Sequence, residues 1–210
     1  MIGKTGNKPF SDPVTYYARA NGDWGTNATW STVGHGGIAA GSTPGAQDVV
    51  LIGDGGANDF TVTAEADTKS AAALTIASGS TLNLAQTSGH TFTTTDGTGT
   101  LRIAGVNFPA GDFTAFLGPS GGTVEYFNTG TTDYTMPDLS PATFYNLTID
   151  TNGENLITLP NQSITIYNDF MVAAGDNADR VQTPQVDGDI TINGNMTVES
   201  GGFFRIRDSG

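Results

Sequence analysis

The sequence predicts an all-β fold of stacked coils, a parallel β-solenoid, and three observations carry that reading. Residues Ser163–Gly175 (SITIYNDFMVAAG) and Asp189–Gly201 (DITINGNMTVESG) superpose at an offset of 26 residues. They match at Ile164/Ile190, Thr165/Thr191, Ile166/Ile192, Val172/Val198 and Gly175/Gly201. Each copy holds two short alternating strands with one apolar face, which it can bury only against a neighbour of its own kind. Secondly, short β-type runs separated by Ser-Gly, Asp-Gly, Asn-Gly and Gly-Gly turns continue back through most of the chain. Thirdly, no window of helical length carries an apolar 3.6-residue period. The nearest approach is the Ala-rich piece Ala64–Ala73, which Thr, Asp and Ser interrupt.

Taken in order, residues 1–14 are a polar leader with Pro9 and Pro13, expected to be flexible. Residues 15–57 are expected to form an N-terminal cap. It opens on the strand candidate Thr15–Ala20, passes through a Gly-rich loop holding both tryptophans, Trp24 and Trp30, and ends on Asp48–Ile52. A loop of that length is either functional or packed by its own side chains, and the tryptophans supply the packing. Residues 58–210 are the expected solenoid. Its apolar anchors recur at Leu74, Leu101, Val124, Leu147, Ile164 and Ile190, with gaps of 27, 23, 23, 17 and 26. Those gaps suit six or seven coils with variable outer loops, a rod on the order of 30 Å long. A hairpin sandwich would show more even strands joined by two-residue turns. Two inserts interrupt the pattern, Asn107–Gly122 and Gly175–Gly188. Inserts in repeat arrays fall on loops of one side, where binding is expected. The strand pattern runs to the last residues, so the solenoid is expected to continue beyond them.

Composition narrows the functions. The chain of 210 residues has 29 Gly and a formal charge of −13, from 8 Lys+Arg against 21 Asp+Glu. Nucleic acid and anionic membranes both need clustered cations, so neither is an expected partner. No apolar run reaches the roughly 20 residues of a membrane span, so no membrane insertion is expected. With no cysteine, disulfides and thiolate metal sites are excluded. The opening MIGKTGNKPF lacks the apolar stretch of a signal peptide.

The run Tyr16–Ser31 (YYARANGDWGTNATWS), followed by Pro44–Gly53 (PGAQDVVLIG), resembles the opening of right-handed β-helix domains in large surface proteins of gliding and related Bacteroidota. The pattern there is Gly-x-Trp, then Thr-Trp-Ser, then Pro-x-x-x-Asp-x-Val-x-Ile. Here it falls on Gly22, Trp24, Thr29, Trp30, Ser31, Pro44, Asp48, Val50 and Ile52. The downstream LTIASGSTLNL, FPAGDFTAFLG and GGTVEYFNTG resemble the same family. The resemblance implies a right-handed coil, in keeping with the crossover preference of parallel strands. It also implies secretion, commonly through the type IX system, and a stalk or adhesive role at the cell surface. Expected partners are surface polysaccharide or other cell-surface proteins.

Candidate chemistry is weighed against structural roles. Trp24 and Trp30 are ligand candidates as a sugar-stacking platform, but closing the first coil is the preferred reading. Asp176, Asp179, Asp187 and Asp189 are candidate Ca²⁺ ligands, the one cofactor considered. Gly53–Asp59 faintly resembles a calcium-binding nonapeptide repeat. Turn chemistry accounts for both acidic clusters. Glu125, Asp150 and Asp169 lie beside strands, as would the carboxylates of a polysaccharide lyase or hydrolase. Arg205 and Arg207 are expected to share a face. Solvated decoration is preferred for all five. His35 and His90 sit in turn-like sequence with nothing to complete a triad or zinc site. At the Asn-x-Ser/Thr positions Asn146 and Asn195 a turn or side-chain ladder is expected, Asn27 and Asn161 being the others of that pattern. The leading expectation is a non-catalytic structural or adhesive module. The alternatives are a carbohydrate-binding or polysaccharide-degrading β-helix and a phage fibre or decoration protein.

Overall fold

A computed structural model of the chain describes residues 12–127, 132–150, 156–173, 179–182 and 188–206. Most of the expected leader lies outside them, as do Asp176, Asp187 and Arg207. The first rung comprises β1 (Thr15–Ala18) and β2 (Gly22–Asp23), followed by a 3₁₀ turn at Asn27–Thr29 and β3 (Trp30–Ser31). Next come β4 (Val49–Ile52) with β5 (Thr61–Thr63), and β6 (Ser70–Ile76) with β7 (Thr81–Asn83). They are followed by β8 (Thr91–Asp96) with β9 (Thr100–Ala104). The next rung holds β10 (Ala110–Asp112), the short helix α1 (Thr114–Leu117), β11 (Thr123–Phe127) and β12 (Tyr134–Thr135). The last three rungs carry three strands each. They are β13 (Thr143–Phe144), β14 (Asn146–Asp150) and β15 (Leu156–Thr158); then β16 (Ile164–Ile166), β17 (Phe170–Val172) and β18 (Asp179–Gln182). The final three are β19 (Ile190–Ile192), β20 (Met196–Val198) and β21 (Gly202–Arg205).

These strands form a parallel β-solenoid. An eight-stranded spine sheet, β2-β5-β7-β9-β11-β14-β17-β20, runs its length. At the usual strand spacing this is about 34 Å. An opening sheet, β10-β8-β6-β4-β1-β3, serves the first five rungs; β13-β16-β19 takes its place in the last three. A further sheet, β12-β15-β18-β21, starts only where the opening sheet stops. The cross-section thus changes from two sheets per coil to three. The ladder also begins earlier than residue 58, because β1 already pairs in parallel with β4 and β2 with β5.

The 26-residue repeat sets true register. Ile164 pairs with Ile190, Ile166 with Ile192 and Val172 with Val198. The anchors spaced by 23, Leu101, Val124 and Leu147, are one spine column. Leu74 belongs to the opening sheet and Ile164 and Ile190 to a third, so the gaps of 27 and 17 cross between sheets rather than count coils. The Ala-rich piece contains no helix. Ser70–Ile76 is a strand, because its alternation buries Leu74 and Ile76 between neighbouring rungs.

The core consists of columns. Val62, Leu82, Leu101, Val124, Leu147 and Phe170 stack in register, each 0% exposed. Beside them run Ile103, Tyr126, Ile149 and Val172. Parallel pairing brings like residues over one another, so the inward apolar side chains of the inner rungs are covered above and below. Along one margin of the spine, Thr61, Thr81, Thr100, Thr123 and Asn146 follow one another. The expected asparagine ladder is present. Asn146 Nδ2 donates to Thr123 Oγ1, Asn146 Oδ1 accepts from the Asp169 N–H, and Asp169 Oδ1 accepts from the Asn195 N–H and Nδ2.

The two ends differ. At the first, β3 turns antiparallel onto β1 and occupies the open edge, a common way to blunt it. At the other, β19, β20 and β21 are the terminal strands of their sheets. Met196 and Val198, next in columns that are fully buried one rung earlier, are 42% exposed there, and Phe203 is 53% exposed. No helix among the described residues is long and apolar enough to cross a membrane.

Candidate functional site

The tryptophans are interior. Trp24 is 1% and Trp30 0% exposed, so they offer no platform for a sugar. Trp30 Nε1 donates to the Trp24 carbonyl at 2.8 Å, and their rings meet edge to face at 5.2 Å. Trp24 packs on Phe92 and Tyr16 on Trp30. Polar side chains of the cap secure the same closure. Asp48 accepts the Val14 and Gly45 N–H groups through its two carboxylate oxygens, fixing the entry to β4. Arg19 ties the cap loop through the Gly37 and Ala28 carbonyls.

The acidic candidates divide. Of the four expected calcium ligands, Asp189 lies exposed at the start of the last rung; Asp179 begins β18. Among the described residues no group of three or more acidic or histidine side chains could hold a metal. In the Gly53–Asp59 loop, Asp54 is occupied by the Gly56 and Asn58 N–H groups and by Asn58 Nδ2. Those bonds, led by the Asn58 side chain, hold its carboxyl below the usual range.

Coil register settles the remaining carboxylates. Glu125 lies beside Arg102 in the ladder, and Asp150 beside Phe127. The Arg102 guanidinium reaches Glu125 at 2.5 Å and Asp150 at 3.4 Å, and sits 4.0 Å over the Phe127 ring. One cation therefore spans three successive spine strands. Asp169 is at the opposite margin, in the asparagine ladder, so the three carboxylates do not converge on one point. Arg102 was legible in principle: it precedes Glu125 by 23 residues, the same step that separates Leu101 from Val124.

His90 is buried. Its Nδ1 accepts the Lys69 N–H and its Nε2 faces Thr87 Oγ1, while the ring stacks on Phe92. That arrangement needs a neutral imidazole, and burial above all pushes its pKa below the ordinary 6.5. A lowered folded-state value means that the unfolded chain takes up the proton first. Stability is therefore fully present above 6.5 and declines as pH falls through the folded value. We expect the denaturant midpoint to drop between about pH 7.5 and about pH 5, and His90→Gln to flatten that slope.

A feature with the shape of a binding site lies at the first insert. Residues Val106–Leu117 and the segment Pro137–Ser140 enclose an open cleft of about 270 Å³. Its walls are Val106, Phe108, Phe113, Leu117, Pro137 and Leu139, with Asp138 at the rim. Phe108 and Phe113 meet edge to face at 4.9 Å. The insert is less irregular than its composition suggests. It contributes β10, and α1 drives Phe116 into the core, with Leu117 also buried. Gly122 permits this, since a Cβ there would lie 2.4 Å from the Phe116 ring. The opposing wall was missed by sequence reasoning; its signal is Pro137 and Pro141 bracketing Leu139. Of the second insert, only Asp179–Gln182 and Gly188 are described.

Set beside known proteins, the chain matches no family model, no curated protein and no solved structure. Its class rests on the fold itself, a parallel β-solenoid with a sealed first coil.

Proposed function

We propose that the chain is a non-catalytic structural or adhesive module of a secreted bacterial cell-surface protein, acting as a stiff rod that presents its inserts. The observation that carries this reading is the Arg102–Glu125–Asp150 cluster. The strand-side carboxylates that polysaccharide chemistry would need are engaged in joining coils, and Asp169 is likewise held by Asn195. The resemblance of the Trp24–Trp30 region supports display outside the cell, with surface polysaccharide or another surface protein as the partner.

Two measurements test it. Antibody or protease added to intact producing cells should reach the chain; a protein found only in the cytoplasm overturns the reading. Arg102→Ala should lower stability by roughly 1–2 kcal/mol, the sum expected for a semi-exposed ion-pair network and a cation–π contact. If Glu125→Gln instead abolished cleavage of a polysaccharide by the purified protein, the chain would be an enzyme.

A further inference from the structure

The cleft at the first insert lies where the solenoid breaks its own pattern. The opening sheet ends at β10, and the next rung begins a different sheet with β13. Segment 136–141 passes at this point, and Pro137 and Pro141 deprive it of two of the N–H groups that a further strand would need. β10 pairs with β8 through Ala110–Thr91 and Asp112–Thr94, and its other edge pairs with no strand among the described residues. Ala110, Gly111 and Asp112 are all exposed. Gly111, at φ +134°, packs so tightly that a Cβ would lie 1.6 Å from the Phe92 carbonyl, which fixes the edge against β8.

We propose that the free edge of β10 and the adjoining cleft form a strand-addition site for an extended, apolar and basic segment of a partner protein. An unpaired strand edge supplies main-chain hydrogen bonds, and a pocket beside it selects a side chain. The cleft, at about 270 Å³, is at or below the small end of ligand pockets, so it suits one or two large apolar side chains rather than a sugar chain. Its aromatic and aliphatic walls favour a Phe or Leu in that position. The basic character follows from charge. Asp138 lines the cleft and Asp112 lies on the adjoining strand β10, both exposed, within a chain of net charge −13. Asp112 stays ionised over the working range, its carboxyl held low by hydrogen bonds from Thr114. Asp138 accepts the Asn161 N–H through one oxygen, Oδ1. The site stands whether or not the rod is displayed at a cell surface.

The test uses the ¹⁵N-labelled full chain and the acetylated pentapeptide Lys-Thr-Phe-Thr-Lys. Amide shifts should concentrate at Val106, Phe108 and Ala110–Asp112. A copy of the peptide N-methylated at alternate residues should bind about tenfold more weakly, the effect of losing one or two main-chain hydrogen bonds. Replacing both lysines by glutamate should weaken it comparably. Asp138→Asn, which keeps the bond to Asn161, should cost about threefold, as for an exposed charge. Absence of shifts at millimolar peptide would overturn the proposal. So would shifts confined to β19–β21, the solenoid's other open edge, or undiminished binding of the N-methylated copy.

Discussion

Trp30→Ala is expected to destabilise the protein by about 3–5 kcal/mol, the range for emptying a buried aromatic site. Trp30 is fully buried, bonds the Trp24 carbonyl through its indole N–H, and touches both Tyr16 and Trp24. Its removal opens a cavity beneath β3, the strand that covers the first edge. Against a typical total of 5–15 kcal/mol, this is enough to unfold a large fraction of molecules at moderate temperature. Urea denaturation followed by circular dichroism would measure it. Trp30→Phe retains much of the volume but loses the indole donor, and should fall between wild type and Trp30→Ala. Equal stability of all three proteins would show that the first coil does not need its seal.

A second large effect tests the column architecture by comparing adjacent rungs. Phe170→Ala should cost about 3–5 kcal/mol, whereas Met196→Ala, at the next position in the same column, should cost under about 1 kcal/mol. Phe170 is covered by Leu147 on one side and Met196 on the other, and meets Phe204 edge to face at 5.6 Å. Among the described residues Met196 has a ladder neighbour on one side only, and it is 42% exposed. The two residues have similar chemistry and the same inward orientation, so the difference isolates the contribution of one covering rung. Comparable losses at both sites would mean that the end rung is as closely packed as the middle. Midpoints from the same urea series decide between them.

How much of this was legible depended on whether a residue's neighbour in space could be inferred from a repeat. The 26-residue offset, read as two similar strings, is the physical register of β16 on β19 and β17 on β20. The ladder role of Asn146 and Asn195 followed from their positions beside strands. Burial of both tryptophans followed from the need to close an end. Elsewhere the coil length varies, because turns absorb extra residues at little cost, and register cannot be counted. Where the step stays at 23, as from Arg102 to Glu125, the pairing could be counted. Strands of two residues, such as β12 and β13, carry no period to detect; they exist because the following rung supplies their partners. The cleft escaped for a related reason. One wall comes from an insert that looked irregular, and the other from a proline-containing segment some 25 residues later.

The change of cross-section has a mechanical consequence. Tension applied along the axis is carried by hydrogen-bonded ladders in parallel, and their number is not constant. The first rungs are held by two ladders and the last by three. At the step between them the opening sheet has ended, so the load falls on the five-residue contact of β11 with β14 and the two-residue contact of β12 with β15. That step is where a two-sheet block passes the load to a three-sheet block, and the Arg102–Asp150 contact spans it.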